Sequence, residues 1–201
     1  MFNLSRHPTT FYQAVATQLE EELVNKGLLQ RRHGVGLLMR PWDYPLHAQT
    51  RVSQNLMEQG SHPTSERLLA VLRPASRDVA TALDCQEGDN VIHLRTLRRI
   101  NGAAVCLINH FIPHLHWWPQ LQQYQSGSLH EYIQQHLSYS LTRRQTRISA
   151  RRAQAKESKL LETGLQAALL CVRTLNEMPD GEIAEYSVSL TRADMIELTL
   201  E

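Results

Sequence analysis

The chain has 201 residues, 42% of them hydrophobic, with 21 basic against 20 acidic side chains and a net charge of +1. That length suffices for one well-buried core plus an appendage, and the near-neutral balance excludes a nucleic-acid surface visible from total charge alone. No apolar run reaches the roughly 18 residues of a membrane span, and MFNLSRHPTT lacks the apolar centre of a signal peptide.

Residues 9–23 repeat Tyr12, Val15, Leu19 and Leu23 at spacings of three and four, which predicts an amphipathic helix. Gly27 is a candidate C-cap. Two short strands, 28–32 and 35–39, are expected around Gly34-Val-Gly36. Pro41 and Pro45 mark residues 41–49 as a linker, and a compact domain is expected over 50–201. It opens with a short helix around Val52, Leu56 and Met57. A strand over 65–72 and a helix over 76–83 follow. Strands 91–100 and 103–112 flank Asn101-Gly102, a strong two-residue hairpin signal. Ser128 opens a helix to 137, with Glu131 in the capping-box position. Strand 141–150, helix 153–161, and strands 169–176 and 183–190 around Pro179-Asp-Gly181 come next, with a last strand over 196–200. Hairpins with interspersed short helices predict an α+β fold built on an antiparallel sheet with flanking short helices.

Arginines stand on strands that otherwise favour burial, notably Arg95, Arg98 and Arg99, and Arg143, Arg144 and Arg147. A buried guanidinium needs an anionic partner, and few acids are adjacent in sequence, so a small anionic ligand is one expectation. The alternative for Arg98 is a stem on the sheet with its head in water. Arg95 and Arg99 alternate to the other face, solvated or paired with acids. The run Arg143, Arg144, Arg147, Arg151 and Arg152 reads as a solvated edge, an interface or a second arginine for the anion. Cys85, Cys106 and Cys171 are widely spaced and read as buried free thiols of a cytoplasmic protein. His110, His114 and His116 lie close together without a Cys or acid set at ligand spacing, so neither metal nor cofactor is expected. No nucleophile–base order or paired-carboxylate motif points to catalytic residues. The Trp117-Trp118 pair suits packing or a dimer contact.

In order along the chain stand LDCQEGDNV (83–91), LRRING (97–102), FIP (111–113), GSL (127–129), ISARRA (148–153) and AEY (184–186). Their order and spacing resemble the effector-binding UTRA domain of HutC-type GntR transcriptional regulators. Residues 75–108 and 145–158 look most like regulators of phosphonate utilisation. The resemblance implies a chorismate-lyase-like fold, a homodimer and a cleft for a small anionic effector such as phosphonate or phosphate. It maps phosphate-binding positions onto Ser53, Arg98 and Ser128, and places His130, Glu185 and Thr191 around the ligand. Thr96 and Thr191 depart from the arginine and the aromatic of sugar-phosphate sensors, which leaves room for a smaller anion. From the residues alone, Ser128 is equally a helix cap, His130 a surface side chain, and Glu185 a partner for Arg95 or Arg98.

Residues 1–40 resemble a remnant of the family's winged helix-turn-helix: its first helix and its wing, with Arg31, Arg32 and His33 left for phosphate contacts. About 35 to 40 residues that would carry the recognition helix have no counterpart. Operator DNA is the family's partner, but specific binding by this chain is not expected. A truncated paralogue that pairs with a full-length regulator is the alternative function.

Overall fold

The computed structural model describes residues 8–25, 29–32, 36–39, 41–45 and 63–199. The chain divides into two units, Met1–Trp42 and Asp43–Glu201. In the first, helix α1 (Pro8–Asn25) precedes strands β1 (Leu29–Arg32) and β2 (Gly36–Met39), an antiparallel pair in which Leu29 faces Met39. The apolar stripe that makes α1 amphipathic is poorly covered: Val15 is 40% and Leu19 53% exposed. The expected helix around Val52, the C-cap candidate Gly27 and the turn residues Gly34 and Val35 lie outside the described residues.

The segment expected as a linker carries a strand, β3 (Trp42–Pro45), paired with the last strand, β10 (Ile196–Thr199). Its two prolines concealed it, because Pro ends or edges a strand without excluding one.

The second unit is organised by a six-stranded antiparallel sheet. Its strands are β4 (Pro63–Pro74), β5 (Asn90–Ile100), β6 (Ala103–Ile112), β7 (Thr142–Arg152), β8 (Ala168–Glu177) and β9 (Ile183–Arg192). They lie in the order β4-β5-β6-β9-β8-β7. The Asn101-Gly102 turn joins β5 to β6 with φ of 50° and 84°, as a two-residue hairpin requires. Gly181, at φ 86°, serves the β8–β9 turn. The two outer strands tolerate what a central strand would not. β4 begins and ends on proline, and β7 carries five arginines, a composition that discourages pairing with another edge.

Short helices cover both faces. On one face α2 (Arg77–Leu83) buries Val79, Ala80 and Leu83 with Val91, and α5 (Ala155–Leu160) lies by the cluster of Leu97, Leu107, Leu161, Leu169 and Leu190. On the other face, a single 3₁₀ turn (Leu115–Trp117), α3 (Trp118–Leu121) and α4 (Leu129–Leu137) pack on Ile92, Leu94 and Ile112. Trp117 is 1% exposed and tilts against Tyr139, with ring centroids 5.0 Å apart. Trp117 belongs to the chain's own core, and the half-buried Trp118 packs against the same cluster.

Candidate functional site

Strand register puts the site together. On the α4 side of the sheet, Ser65 of β4 pairs with Arg98 of β5, Arg98 with Cys106 of β6, and Cys106 with Thr191 of β9. This row crosses four strands and shares one face, because side chains alternate with period two. Gly127 N–H donates to the Ser65 carbonyl at 2.9 Å and Arg67 N–H to the Gln125 carbonyl at 2.8 Å. These bonds lash segment 125–127 to β4 and bring the start of α4 over Arg98. Gly127 makes the turn at φ 89°, a backbone state that L side chains rarely adopt. Ser128 then caps α4, its hydroxyl accepting from Glu131 N–H at 3.4 Å.

The result is a cleft of about 300 Å³ lined by Pro63, Thr64, Ser65, Arg98, Ser126, Gly127, Ser128 and Glu131. It offers one guanidinium, several hydroxyls and the first N–H groups of a helix, which lack intrahelical acceptors. Among the described residues, no hydrogen bond or ion pair holds the Arg98 head. The chemistry suits a small oxyanion, which charge-assisted bonds and helix N–H groups both favour.

Behind the cleft lies a buried polar network. Glu185 is 0% exposed. His110 Nδ1–H donates to its Oε1 at 2.5 Å, while Asn176 Nδ2–H and His130 Nε2–H donate to its Oε2 at 2.6 and 2.7 Å. Thr96 Oγ1 lies 3.1 Å from His110 Nε2 and completes that ring's bonding. Burial by itself would raise the Glu185 pKa. The charge of His130 and the hydrogen bonds from both imidazoles prevail and hold the carboxyl well below its ordinary value. Burial would likewise lower His130, yet Glu185 prevails and raises it, against opposition from nearby Arg98 and Arg143. The His130 side chain is 44% exposed, so this ion pair has one buried end and one solvent-facing end.

The candidate residues thus fare differently. Arg98 and Ser128 line the cleft, and His130 and Glu185 stand behind it. Thr191 shares the row of Arg98, but its hydroxyl donates to Cys106 Sγ at 3.1 Å. Ser53 and His33 lie outside the described residues, as do the side chains of Arg31 and Arg32 on β1. Glu185 pairs with neither Arg95 nor Arg98. Arg95 sits on the opposite face and donates to Asn109 at 2.8 Å, while register sets Asn176 directly across from Glu185. His130 is more than a surface side chain, since its ring closes this network. Arg99 pairs with Glu66 and Glu162, as expected of a solvated arginine with acids near. The basic edge is partly neutralised too: Arg151 forms a two-pronged pair with Glu157 at 2.6 and 2.7 Å. Ser65, Ser126, His110 and Asn176 join the cleft or its network with no local signal in the sequence. Only the pairing Ser65↔Arg98 could have identified the first, and it follows from sheet order rather than local pattern. Among the described residues no group of three or more His, Cys, Asp and Glu side chains is arranged to hold a metal.

A family model described as the UTRA domain matches residues 58–197. Over 240 aligned positions the chain is 54% identical to the "Probable transcriptional regulator PhnF" of Escherichia coli (strain K12), covering 99% of each protein. That alignment is longer than the 201 residues of this chain, so the relative has positions without a counterpart here. Of solved structures, the PhnF C-terminal domain is similar with a TM-score of 0.67 at 62% identity, covering 78% of this chain and 99% of that one. PhnF from Mycobacterium smegmatis shares the fold with a TM-score of 0.77 at 20% identity, over 100% of this chain and 90% of that one.

The pH dependence of stability follows from the Glu185–His130 pair. The His130 contribution is complete below its unfolded value near 6.5 and is lost as pH rises through its raised folded value. The Glu185 contribution is present above the ordinary 4.5 and is lost as pH falls through its depressed folded value. Urea unfolding should therefore show greatest stability from this pair between those limits. Glu185→Gln should cost about 1–3 kcal/mol near neutrality and flatten the alkaline decline. An unchanged alkaline decline in the variant would show that another group causes it.

Proposed function

This chain belongs to the UTRA-domain transcriptional regulators of the GntR family, and we propose that its cleft is the effector site, taking a small tetrahedral oxyanion of the phosphate or phosphonate class. The chain is a regulator, not an enzyme. The observation that carries the ligand assignment is Arg98, a strand guanidinium lining the cleft opposite the capped start of α4. A helix N-terminus and a guanidinium converging from two elements favour negative charge, whereas either alone is commonplace. A cleft of about 300 Å³ is at the small end of ligand pockets, in keeping with the loss of the sugar-sensing arginine and aromatic at Thr96 and Thr191. The likeness of residues 75–108 and 145–158 to regulators of phosphonate utilisation supports that operon class. The protein acts in the cytoplasm, where operator DNA lies.

Arg98→Ala should weaken binding of sulfate or methylphosphonate by about 2–4 kcal/mol, the scale for truncating one partner of a buried charge pair. Calorimetric titration reads this directly, and equal affinity in the variant removes the site.

The first unit bears on DNA. α1 ends at Asn25 and β1 begins at Leu29, so residues 26–28 alone separate helix from wing strand. Three residues cannot form the recognition helix that reads base edges in the major groove. The exposure of Val15 and Leu19 fits a helix whose usual covering helices are gone. Mobility-shift titration on the promoter region should give at most weak binding that disappears with salt. A specific complex at nanomolar protein and physiological salt would overturn this.

A second function rests on the same observation. A chain that keeps the effector domain but not the reading helix can pair with a full-length relative and disable it. Mass measurement should show a homodimer of this chain alone and a mixed dimer after incubation with such a relative. Monomer alone, or no exchange, counts against each in turn.

A further inference from the structure

We propose, building on the anion-binding assignment of the cleft, that His130 is its charge-selecting residue, favouring a dianionic tetrahedral head group over a singly charged one. Three observations converge. First, His130 belongs to the first turn of α4, two residues beyond the cleft-lining Ser128 and next to the cleft-lining Glu131. Second, its Nε2–H is committed to Glu185, whose carboxylate is sealed behind it, while the ring itself is partly open to solvent. The pair is neutral as a whole but oriented, with its positive end outward and its negative end 0% exposed. Third, Arg98 lies near enough to oppose the charge on His130. An anion held by Arg98 near a protonated His130 is attracted by both charges, and a dianion more strongly than a monoanion.

The charged groups that act on the ring come from several elements. Glu185 on β9 favours the imidazolium, and Arg98 on β5 and Arg143 on β7 oppose it. His110 on β6 reaches the same carboxylate through the other oxygen. Glu131 is its neighbour on α4. Asn176 on β8 donates to the same carboxylate oxygen as His130 and carries no charge. Rigid support of this kind distinguishes His130 from a surface histidine that meets an anion by chance. An anion bound beside it must hold its proton more firmly, and by linkage the protonated ring must hold the anion more firmly.

The test uses two tetrahedral probes that do not themselves titrate in the range studied. Sulfate is a dianion and methanesulfonate a monoanion throughout. Calorimetry from about pH 6 to about pH 9 brackets the range in which imidazoles lose their proton. Sulfate should bind more tightly than methanesulfonate at the acidic end. Its affinity should fall about tenfold toward the alkaline end, the change that accompanies a one-unit shift of one group on binding. Titrations in buffers of different ionisation enthalpy should show proton uptake with sulfate near the midpoint. His130→Gln keeps a donor for Glu185 and should bind sulfate at the level of the wild type's alkaline limit, with no proton uptake and a reduced preference over methanesulfonate. A wild-type affinity for sulfate that does not change with pH overturns the role of His130 and leaves the anion site standing. So does a His130→Gln protein that keeps the pH dependence. Failure of both probes to bind at any pH overturns the anion site and this inference together.

Discussion

A carboxylate with no access to water dominates the middle of this sheet. Isolating an ionised acid in a protein interior costs several kcal/mol, and only compensating charge and hydrogen bonds make it tolerable. Glu185 receives three donors from three different elements: His110 on β6, Asn176 on β8 and His130 on α4. Two of these arrive through the sheet ladder, where pairing already fixes their height and face. The third comes from a helix, so the same interaction that satisfies the acid also fixes where the start of α4 sits above β5. Loss of any donor would leave a charge or a lone pair without its partner, and the position of α4 would lose its electrostatic anchor.

The apolar half of the same face explains how this arrangement can be held. Ile133 and Leu129 of α4 pack on Ile92, Leu94 and Ile112, together with Tyr124 and Trp117. Burial of side chains this large contributes roughly 1.5–3 kcal/mol each, far more than a solvent-facing ion pair. The helix is therefore pinned by hydrophobic contact at its middle and oriented by polar contact at its start. Tyr124 connects the two halves, being buried in the cluster while its hydroxyl donates to the Gly127 carbonyl at 2.8 Å.

The two units differ in how far their apolar side chains are buried. In the UTRA unit, apolar clusters lie on both faces of the central strands, and the buried Glu185 carboxylate has three donors. The N-terminal unit carries a helix and one antiparallel strand pair, with residues 26–28 between helix and first strand.

Most of the fold was legible because its signals are local. Positive φ at Asn101 and Gly102 is a property of those two residues, the cap at Ser128 spans one turn, and strand alternation needs no distant partner. Family resemblance then carried Arg98, Ser128, His130 and Glu185 to one neighbourhood. What the sequence by itself could not determine was who pairs with whom. Glu185 meets His110 across 75 positions and His130 across 55, and Ser65 meets Arg98 only because β4 is the outer neighbour of β5. Local pattern also hid β3 behind two prolines, since its pairing with β10 involves the far end of the chain. Backbone chemistry acts over a few bonds, so sequence determined turns, caps and alternating faces. Ion pairing acts through space, so only the strand order and register of the folded sheet decided that the arginine lines the cleft while the glutamate is hydrogen-bonded by histidines.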